Sequence, residues 1–289
     1  MVGTTRQSDL VVVNTSALRS LTRAISLSRG EFSLVLVCCN YKVLQQRILE
    51  QLQQILGKDY LLQKVSLPAH ARSLYTTIHT KIVKDSKKNQ TLPHIALMIL
   101  GLESVNGLDD LLTSINHIRD EFRKKHPFPM VLWVNEEVLR KLRRLAPDFA
   151  SWAGTPIKFE MTTAQLIQFL QRETESLFTT VLDIAATREK ASSITQKKSS
   201  EHRQCTLEQV WQHSNELHHA IKDLQTRGIN LTPELDASLE FVFGLDEYVK
   251  DCIEKAINHF RKSYQLLIYS YQKKDEVTVS SPSPCPPIS

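Results

Sequence analysis

The chain has 289 residues, of which 42% are hydrophobic and 23% are charged, and its formal net charge is +5 when histidine is neutral. This composition supplies a core for one large or two modest domains. The mild positive charge lacks the concentrated basic stripe of nucleic-acid binders, and no apolar run approaches the ~20 residues that a membrane span needs.

Cysteine usage indicates a reducing compartment. The five cysteines form no CxxC pair and no Cys/His cluster with zinc-ligand spacing. At the N-terminus, Asp9 precedes a short apolar run without an extended hydrophobic region, which is not the pattern of a signal peptide. We therefore expect a cytoplasmic protein without a metal site.

Apolar strands alternate with amphipathic helices over roughly the first 180 residues. The first helix follows an apolar run at residues 10–13 and could be capped by Asn14 or Ser16. Five strands are predicted at residues 33–38, 61–67, 94–102, 130–134 and 157–161, the second of them nearer an edge. Helices are predicted at residues 43–56, 71–83, 108–125 and 163–183, with a further one that begins at residue 136 and ends before Pro147.

This alternation predicts an α/β fold with a five-stranded, mostly parallel sheet and helices on both faces. A ligand site would lie at the carboxyl ends of the strands. Residues 1–183 form this domain, and residues 184–204, rich in Lys, Ser, Thr and Gln, form a linker or exposed helix. Residues 205–273 read as helical only, and the Pro/Ser-rich residues 274–289 as a disordered tail.

The junction between the first strand and its helix decides what nucleotide chemistry is available. A P-loop needs GxxxxGK[ST], because its glycines let backbone N–H groups face the phosphates. The segment from Cys38 to Leu44 contains no glycine, and no Ser or Thr follows Lys42. Loss of phosphate binding is therefore the favoured interpretation. The helix N-terminus still offers N–H groups, which leaves Asn40 and Lys42 as weak candidates for cofactor binding.

Two further candidates stand at strand ends. Glu103 follows the third strand, where an active NTPase has a carboxylate that holds metal-bound water, and Asn135 follows the fourth, where a polar residue senses the γ-phosphate. The alternative is that both residues begin a loop or cap a helix, and the missing P-loop favours this alternative. No catalytic triad or metal cluster is visible. The basic residues of the next helix read as a solvated face, with nucleic-acid contact as a minor alternative: Arg140, Lys141, Arg143 and Arg144.

These segments together resemble a known class. FSLVLVCCNYKVLQQRILEQL, ALMILGLESVNGLDDLLTSINHIRDEFRK and PFPMVLWVNEEVLRKLRRLAPDFASWAG are similar to the degenerate NTPase module of the STAND and AAA-like P-loop class, which precedes repeats in certain large bacterial proteins. The resemblance implies a Walker-B-like end at Glu103 and a sensor-like end at Asn135. The Walker A lysine and hydroxyl have no match, which implies a pseudo-NTPase.

The helical end resembles part of a tetratricopeptide repeat. Gly244 is followed twelve residues later by an A-x₃-F pattern, Ala256 to Phe260, and Ser263 stands where a small residue is expected. Tyr248 falls off the expected aromatic position, so the match is partial. Without the resemblance, these residues predict two amphipathic helices that pack as a hairpin.

Three functions remain open. The favoured one is a non-catalytic regulatory or scaffold module that mediates protein–protein interaction in a bacterial signalling-type protein, with a protein partner on the helical region and no cofactor. The second is a cryptic nucleotide-binding switch that binds ATP or ADP without efficient hydrolysis. The third is nucleic-acid binding through the basic helix.

Overall fold

The computed structural model describes the backbone of residues 8–86, 94–191 and 215–279, and the side chains of residues 14–82, 94–179 and 215–272. The chain divides into two compact units, Met1–Thr162 and Thr163–Ser289. The sequence predicts a boundary after residue 183 instead, because the helix that follows the fifth strand reads as part of the sheet domain. The structure places that helix in the second unit.

The first unit is built on one parallel sheet of five strands in the order β2-β3-β4-β1-β5. The strands are β1 (Ser33–Cys38), β2 (Tyr60–Ser66), β3 (His94–Leu100), β4 (Pro129–Val134) and β5 (Ile157–Lys158). The central β4 is buried along its whole length. This sheet confirms the predicted fold class, a P-loop NTPase-like α/β fold with additional helices, and it confirms β2 as an edge strand.

Seven helices accompany the sheet in the described part of this unit: α1 (Ser8–Leu27), α2 (Lys42–Leu56), α3 (Leu74–Ser86), α4 (Leu108–His117), α5 (Arg119–Lys125), α6 (Glu136–Leu145) and α7 (Pro147–Ser151). Helices α3 to α7 bury apolar side chains in one cluster with alternate strand residues such as Leu36, Ile99 and Leu132. The intervening residues, such as Val131 and Trp133, are also fully buried. Since side chains alternate across a strand, they face the opposite side, where α1 and α2 contact the edge strands.

The start of α1 and the end of β5 both differ from the prediction. Asn14 lies inside α1 and does not cap it. Its side-chain amide donates to the carbonyl of Glu160 at 2.9 Å and accepts from the amide of Glu160 at 3.0 Å. Because Asn14 satisfies both backbone groups of Glu160, β5 ends at Lys158 and does not reach residue 161.

The predicted helix at residues 108–125 is two helices, separated at Ile118. Asn116, in the last turn of α4, accepts a hydrogen bond from the amide of Phe149 at 3.0 Å and so satisfies a free donor at the start of α7. Its carbonyl accepts from the guanidinium of Arg119 at 2.8 Å. These contacts hold the end of α4 against α7, a short helix that the sequence analysis did not predict.

The described part of the second unit is helical: α8 (Thr163–Ala191), α9 (residues 215–226), α10 (Pro233–Val249) and α11 (Ile253–Val279). Residues 184–191 continue α8, while the rest of the predicted linker lies outside the described residues. Helix α11 runs to Val279, so the tail predicted from residue 274 begins too early, since the first helix-breaking proline of that tail is Pro282. Residues 280–289 lie outside the described residues.

Candidate functional site

The candidate site lies where β1 and β4 end side by side. These neighbouring strands run in register to Cys38 and Val134, and the amide of Cys39 extends the ladder by donating to the carbonyl of Val134 at 2.9 Å. Only residues 39–41 separate β1 from α2. The carboxyl edge here is therefore closed by a tight turn.

Buried side chains fill this turn. Cys39 is buried, and its thiol donates to the carbonyl of Tyr41 at 3.4 Å. Tyr41 is only 2% exposed and has an extended backbone, and its side chain does not cap α2. A phosphate-cradling loop needs a longer glycine-rich backbone with its N–H groups turned toward the ligand. The three-residue turn at 39–41 has neither that length nor a glycine, and its Cys39 and Tyr41 side chains are buried.

Asn40 and Asn135 come together, and both serve the same helix end. The side-chain oxygen of Asn40 accepts from the amide of Glu136 at 3.0 Å, and that of Asn135 accepts from the amide of Val138 at 2.8 Å. These two amides belong to the first turn of α6, whose free donors attract anions in many proteins. The two asparagines satisfy them internally. For Asn135, the structure agrees with the alternative of a helix cap.

Lys42 and Glu103 lie apart from each other. Lys42 is the half-buried first residue of α2, whereas Glu103 lies in a short 3₁₀ turn, Leu102–Ser104, after β3. Strand β4 separates β3 from β1, so the two strand ends are ~10 Å apart. Within the part of the chain that the structure describes, the carboxylate of Glu103 makes no hydrogen bond or ion pair. Its predicted role stays a prediction.

The charges around Cys38 also find partners within the protein. Burial and, to a lesser extent, the charge of Glu136 raise the pKa of the Cys38 thiol to about 11, against the opposing charges of Lys158 and Arg143. Lys158 lies 3.8 Å from the Glu136 carboxylate. Lys158 was not among the predicted site residues, because the predicted strand at residues 157–161 places it near the amino end, whereas the observed β5 ends at Lys158 beside Cys38. The raised pKa keeps the buried thiol neutral at pH 7, which disfavours the reactive thiolate form.

A surface groove of about 390 Å³ lies beside this edge, between α6, α7 and the segment that leads to β5. Its lining includes Leu36, Arg143, Gly154 and Pro156. Arg143 is the one basic side chain of this lining. Within the described ranges, no group of His, Cys, Asp and Glu side chains could hold a metal ion.

The basic run of α6 is partly neutralised. The ammonium group of Lys141 lies 2.9 Å from Asp109 of α4, and the guanidinium of Arg144 lies 3.7 Å from the same carboxylate. Arg140 and Arg143 are exposed. Only half of the predicted basic set is therefore free of this acidic partner, which weakens the surface as a nucleic-acid footprint.

In the second unit, the glycine, alanine, phenylalanine and serine of the predicted repeat pattern meet between α10 and α11. Ala256 and Ser263 are buried, and the hydroxyl of Ser263 donates to the carbonyl of Ala237 at 2.7 Å. A Cβ atom at Gly244 would lie 2.5 Å from the ring of Phe260. These small residues let the two helices approach closely, which confirms the predicted helical hairpin as a local packing unit.

A buried carboxylate also joins these two helices. Glu240 of α10 contacts the imidazole of His259 at 2.7 Å and the ammonium of Lys262 at hydrogen-bond distance. Burial raises the pKa of Glu240, but the hydrogen bonds and charges of Lys262 and His259 outweigh burial and lower it below the ordinary value. The group is an ion-pair network within the hairpin, and it needs no ligand.

No protein-family model matches the chain, and no curated protein matches it. A solved structure of the Aeropyrum pernix ORC1 protein in complex with DNA is similar at 11% sequence identity, over 88% of this chain and 83% of that chain, with a TM-score of 0.32. A similarity this weak assigns neither a function nor a DNA partner. Its own five-stranded parallel sheet makes this chain an α/β protein, and helices follow the sheet. Among the described residues, no helix is long and apolar enough to span a membrane.

Proposed function

We propose that this protein is a non-catalytic regulatory or scaffold module, with a P-loop-type sheet that supports the fold and a helical unit that contacts protein partners. The observation that carries the proposal is the junction at residues 39–41, where buried side chains fill the place of a phosphate-binding loop. Asn40 and Asn135 support the same conclusion, because their side chains already accept hydrogen bonds from two first-turn amides of α6. A bacterial signalling-type context is the setting that the resemblance implies.

The helical unit supports the interaction part of this proposal. Helix α11 exposes isoleucine and tyrosine side chains along one side, although the helix is otherwise packed against α10. A contiguous exposed apolar surface is typical of a site that contacts another protein, whereas single exposed apolar side chains are ordinary. The helical unit thus presents an apolar helix face to a partner.

Isothermal titration calorimetry with ATP, ADP and GTP on the full chain tests the nucleotide part. We expect no heat of binding and no shift of the thermal midpoint at millimolar nucleotide with Mg²⁺. ATP hydrolysis is expected to equal that of a Glu103→Gln variant. Binding without hydrolysis would replace this proposal with the nucleotide switch, and hydrolysis that depends on Glu103 would replace it with an active NTPase.

A further inference from the structure

Helix α11 carries an apolar stripe that nothing in the described structure covers. It consists of Ile253, Ile257, Tyr264, Leu267, Ile268 and Tyr271, which we call the α11 stripe. Its tyrosines are 65% and 69% exposed, and Ile257 is 49% exposed. At 100° per residue, these six side chains lie within roughly one third of the helix circumference.

The stripe lies beside the face that α11 presents to α10. That packed face carries small residues seven apart, Ala256, Ser263 and Ser270, all buried. Phe260 falls within the arc of the stripe, and it is half-buried because its ring also contacts Phe241 of α10 at a ring-centroid distance of 5.4 Å. The hairpin therefore uses one face of α11 completely and leaves the next face for another helix.

The spacing of residues along the α11 stripe is typical of helices that pack in pairs. From Ile253 through Ile257, Phe260, Tyr264 and Leu267 to Tyr271, the steps alternate between four and three residues. Such a repeat places every member on one seam in knobs-into-holes packing. The partner that fits the stripe is therefore another apolar helix.

The same steps read identically in both directions, which fits a second copy of this chain. An antiparallel pair centred near Lys262 places Ile253 opposite Tyr271 and Ile257 opposite Leu267. Tyr264 then meets Phe260 and Tyr271 meets Ile253, whereas a parallel pair would set Tyr264 and Tyr271 against themselves. A two-fold interface requires this self-complementarity, because each contact occurs twice with the partners exchanged.

The area is also sufficient. The exposed parts of the six side chains amount to on the order of 600 Å² per copy, or ~1,200 Å² for two copies, which reaches the lower range of specific protein interfaces. We propose that the α11 stripe is a self-association surface, through which two copies of the chain pair as antiparallel helices. This inference rests on the proposed interaction role of the helical unit, and it names the partner.

Sedimentation equilibrium on the full chain tests it. We expect the wild type to be a dimer at micromolar concentration. Tyr264→Glu should raise the dissociation constant of the dimer by at least ~30-fold, because a charge replaces an aromatic side chain that the interface buries. The matched control is Tyr269→Glu. Tyr269 is 55% exposed on the same helix but lies outside the stripe, so this variant should stay dimeric. Circular dichroism verifies that both variants are folded.

Disulfide trapping tests the orientation in a chain whose Cys205, Cys252 and Cys285 are replaced by serine. An equal mixture of Ile253→Cys and Tyr271→Cys chains should cross-link between unlike chains. Ile253→Cys alone should not, because antiparallel copies separate these positions by ~27 Å along the axis. Self-linking of Ile253→Cys alone would overturn the antiparallel arrangement.

A chain that stays monomeric, or a Tyr269→Glu variant that dissociates as fully as Tyr264→Glu, would overturn the self-association. These outcomes are independent of the nucleotide titrations. If the chain is a monomer that binds no nucleotide, only the self-association is contradicted. If it is a dimer that binds nucleotide, only the proposed function is contradicted.

Discussion

His126 is buried in a cluster of aromatic rings, and among the described residues its Nε2 atom has no hydrogen-bond partner. The rings of Tyr75, Phe122 and Phe128 lie 5.5–6.3 Å from the imidazole. Burial lowers the pKa of His126 below 6.5, and the nearby His79 lowers it further, against a backbone hydrogen bond that raises it. The imidazole is thus held neutral in the folded protein.

This histidine should make the protein sensitive to mild acid. Because the folded pKa lies below the unfolded one, the unfolded chain binds the proton more readily, and stability falls as the pH drops below about 6.5. His126→Phe keeps the ring and removes the titration, so its free energy of unfolding should change less between about pH 7.5 and about pH 5 than that of the wild type. Urea unfolding at both pH values measures the difference. The exposed His70 supplies the control, since His70→Gln should keep the wild-type pH dependence.

Gly244 of α10 lies directly against the ring of Phe260 of α11. An added Cβ atom would lie 2.5 Å from Cε1 of the Phe260 ring, inside van der Waals contact. Gly244→Ala should therefore destabilise the protein by about 1–3 kcal/mol through overpacking. Thermal and urea unfolding measure this change.

Gly154 and Phe260 supply the controls for that substitution. No atom lies within 4 Å of a Cβ atom built at Gly154, and its φ lies outside the left-handed region, so Gly154→Ala should stay within ~0.5 kcal/mol of the wild type. In a Phe260→Ala background, Gly244→Ala should lose most of its effect, because the clashing ring is absent. An equal effect in both backgrounds would contradict the steric explanation.

At the scale of the element, helix α6 begins where three parts of the chain meet. Asn135 caps its first turn from the end of β4, and Asn40 reaches the same turn from the β1–α2 junction, 96 residues away in sequence. Glu136 in that turn lies 3.8 Å from Lys158 of β5. The helix start thus fixes the carboxyl ends of β1, β4 and β5 with respect to one another.

Removing the cap tests whether this edge is structural. Asn135→Ala should destabilise the protein by about 1 kcal/mol, and Asn135→Ser should restore most of that loss, because a serine hydroxyl also accepts from a helix amide. Urea unfolding measures both variants. ATP at millimolar concentration should leave both differences unchanged. A loss of stability that appears only with ATP present would instead point to a nucleotide contact.

At the scale of the whole molecule, self-association links stability to protein concentration. If two copies pair through the α11 stripe, the midpoint of thermal unfolding should rise with concentration, since dilution favours the separated chains. Tyr264→Glu should make the midpoint independent of concentration, and Tyr269→Glu should not. Differential scanning calorimetry over a hundredfold dilution range measures this. A concentration-independent wild-type midpoint would contradict the pairing.

The elements whose apolar pattern is complete were predictable from the sequence. The run at residues 33–38 is continuous because β1 is buried between two neighbours, and helix α2 ends at Gly57, whose φ of 63° suits a glycine. The absence of glycine from the junction between β1 and α2 was equally evident, because it requires only the sequence of that short segment. Asn135 was also foreseen as a cap, since an asparagine after a strand and before a helix favours that role.

The tertiary structure alone decided which polar groups satisfy one another. Asn14 pairs with Glu160 across 146 residues, Asn40 reaches the start of α6, and Asp109 neutralises two residues of the basic run. Periodicity describes which side of one element is apolar, but a hydrogen bond between distant residues depends on strand order and helix docking. For that reason the sequence determined the strand–helix alternation and the loss of the glycine loop. The three-dimensional packing determined that protein side chains fill and satisfy the edge left behind.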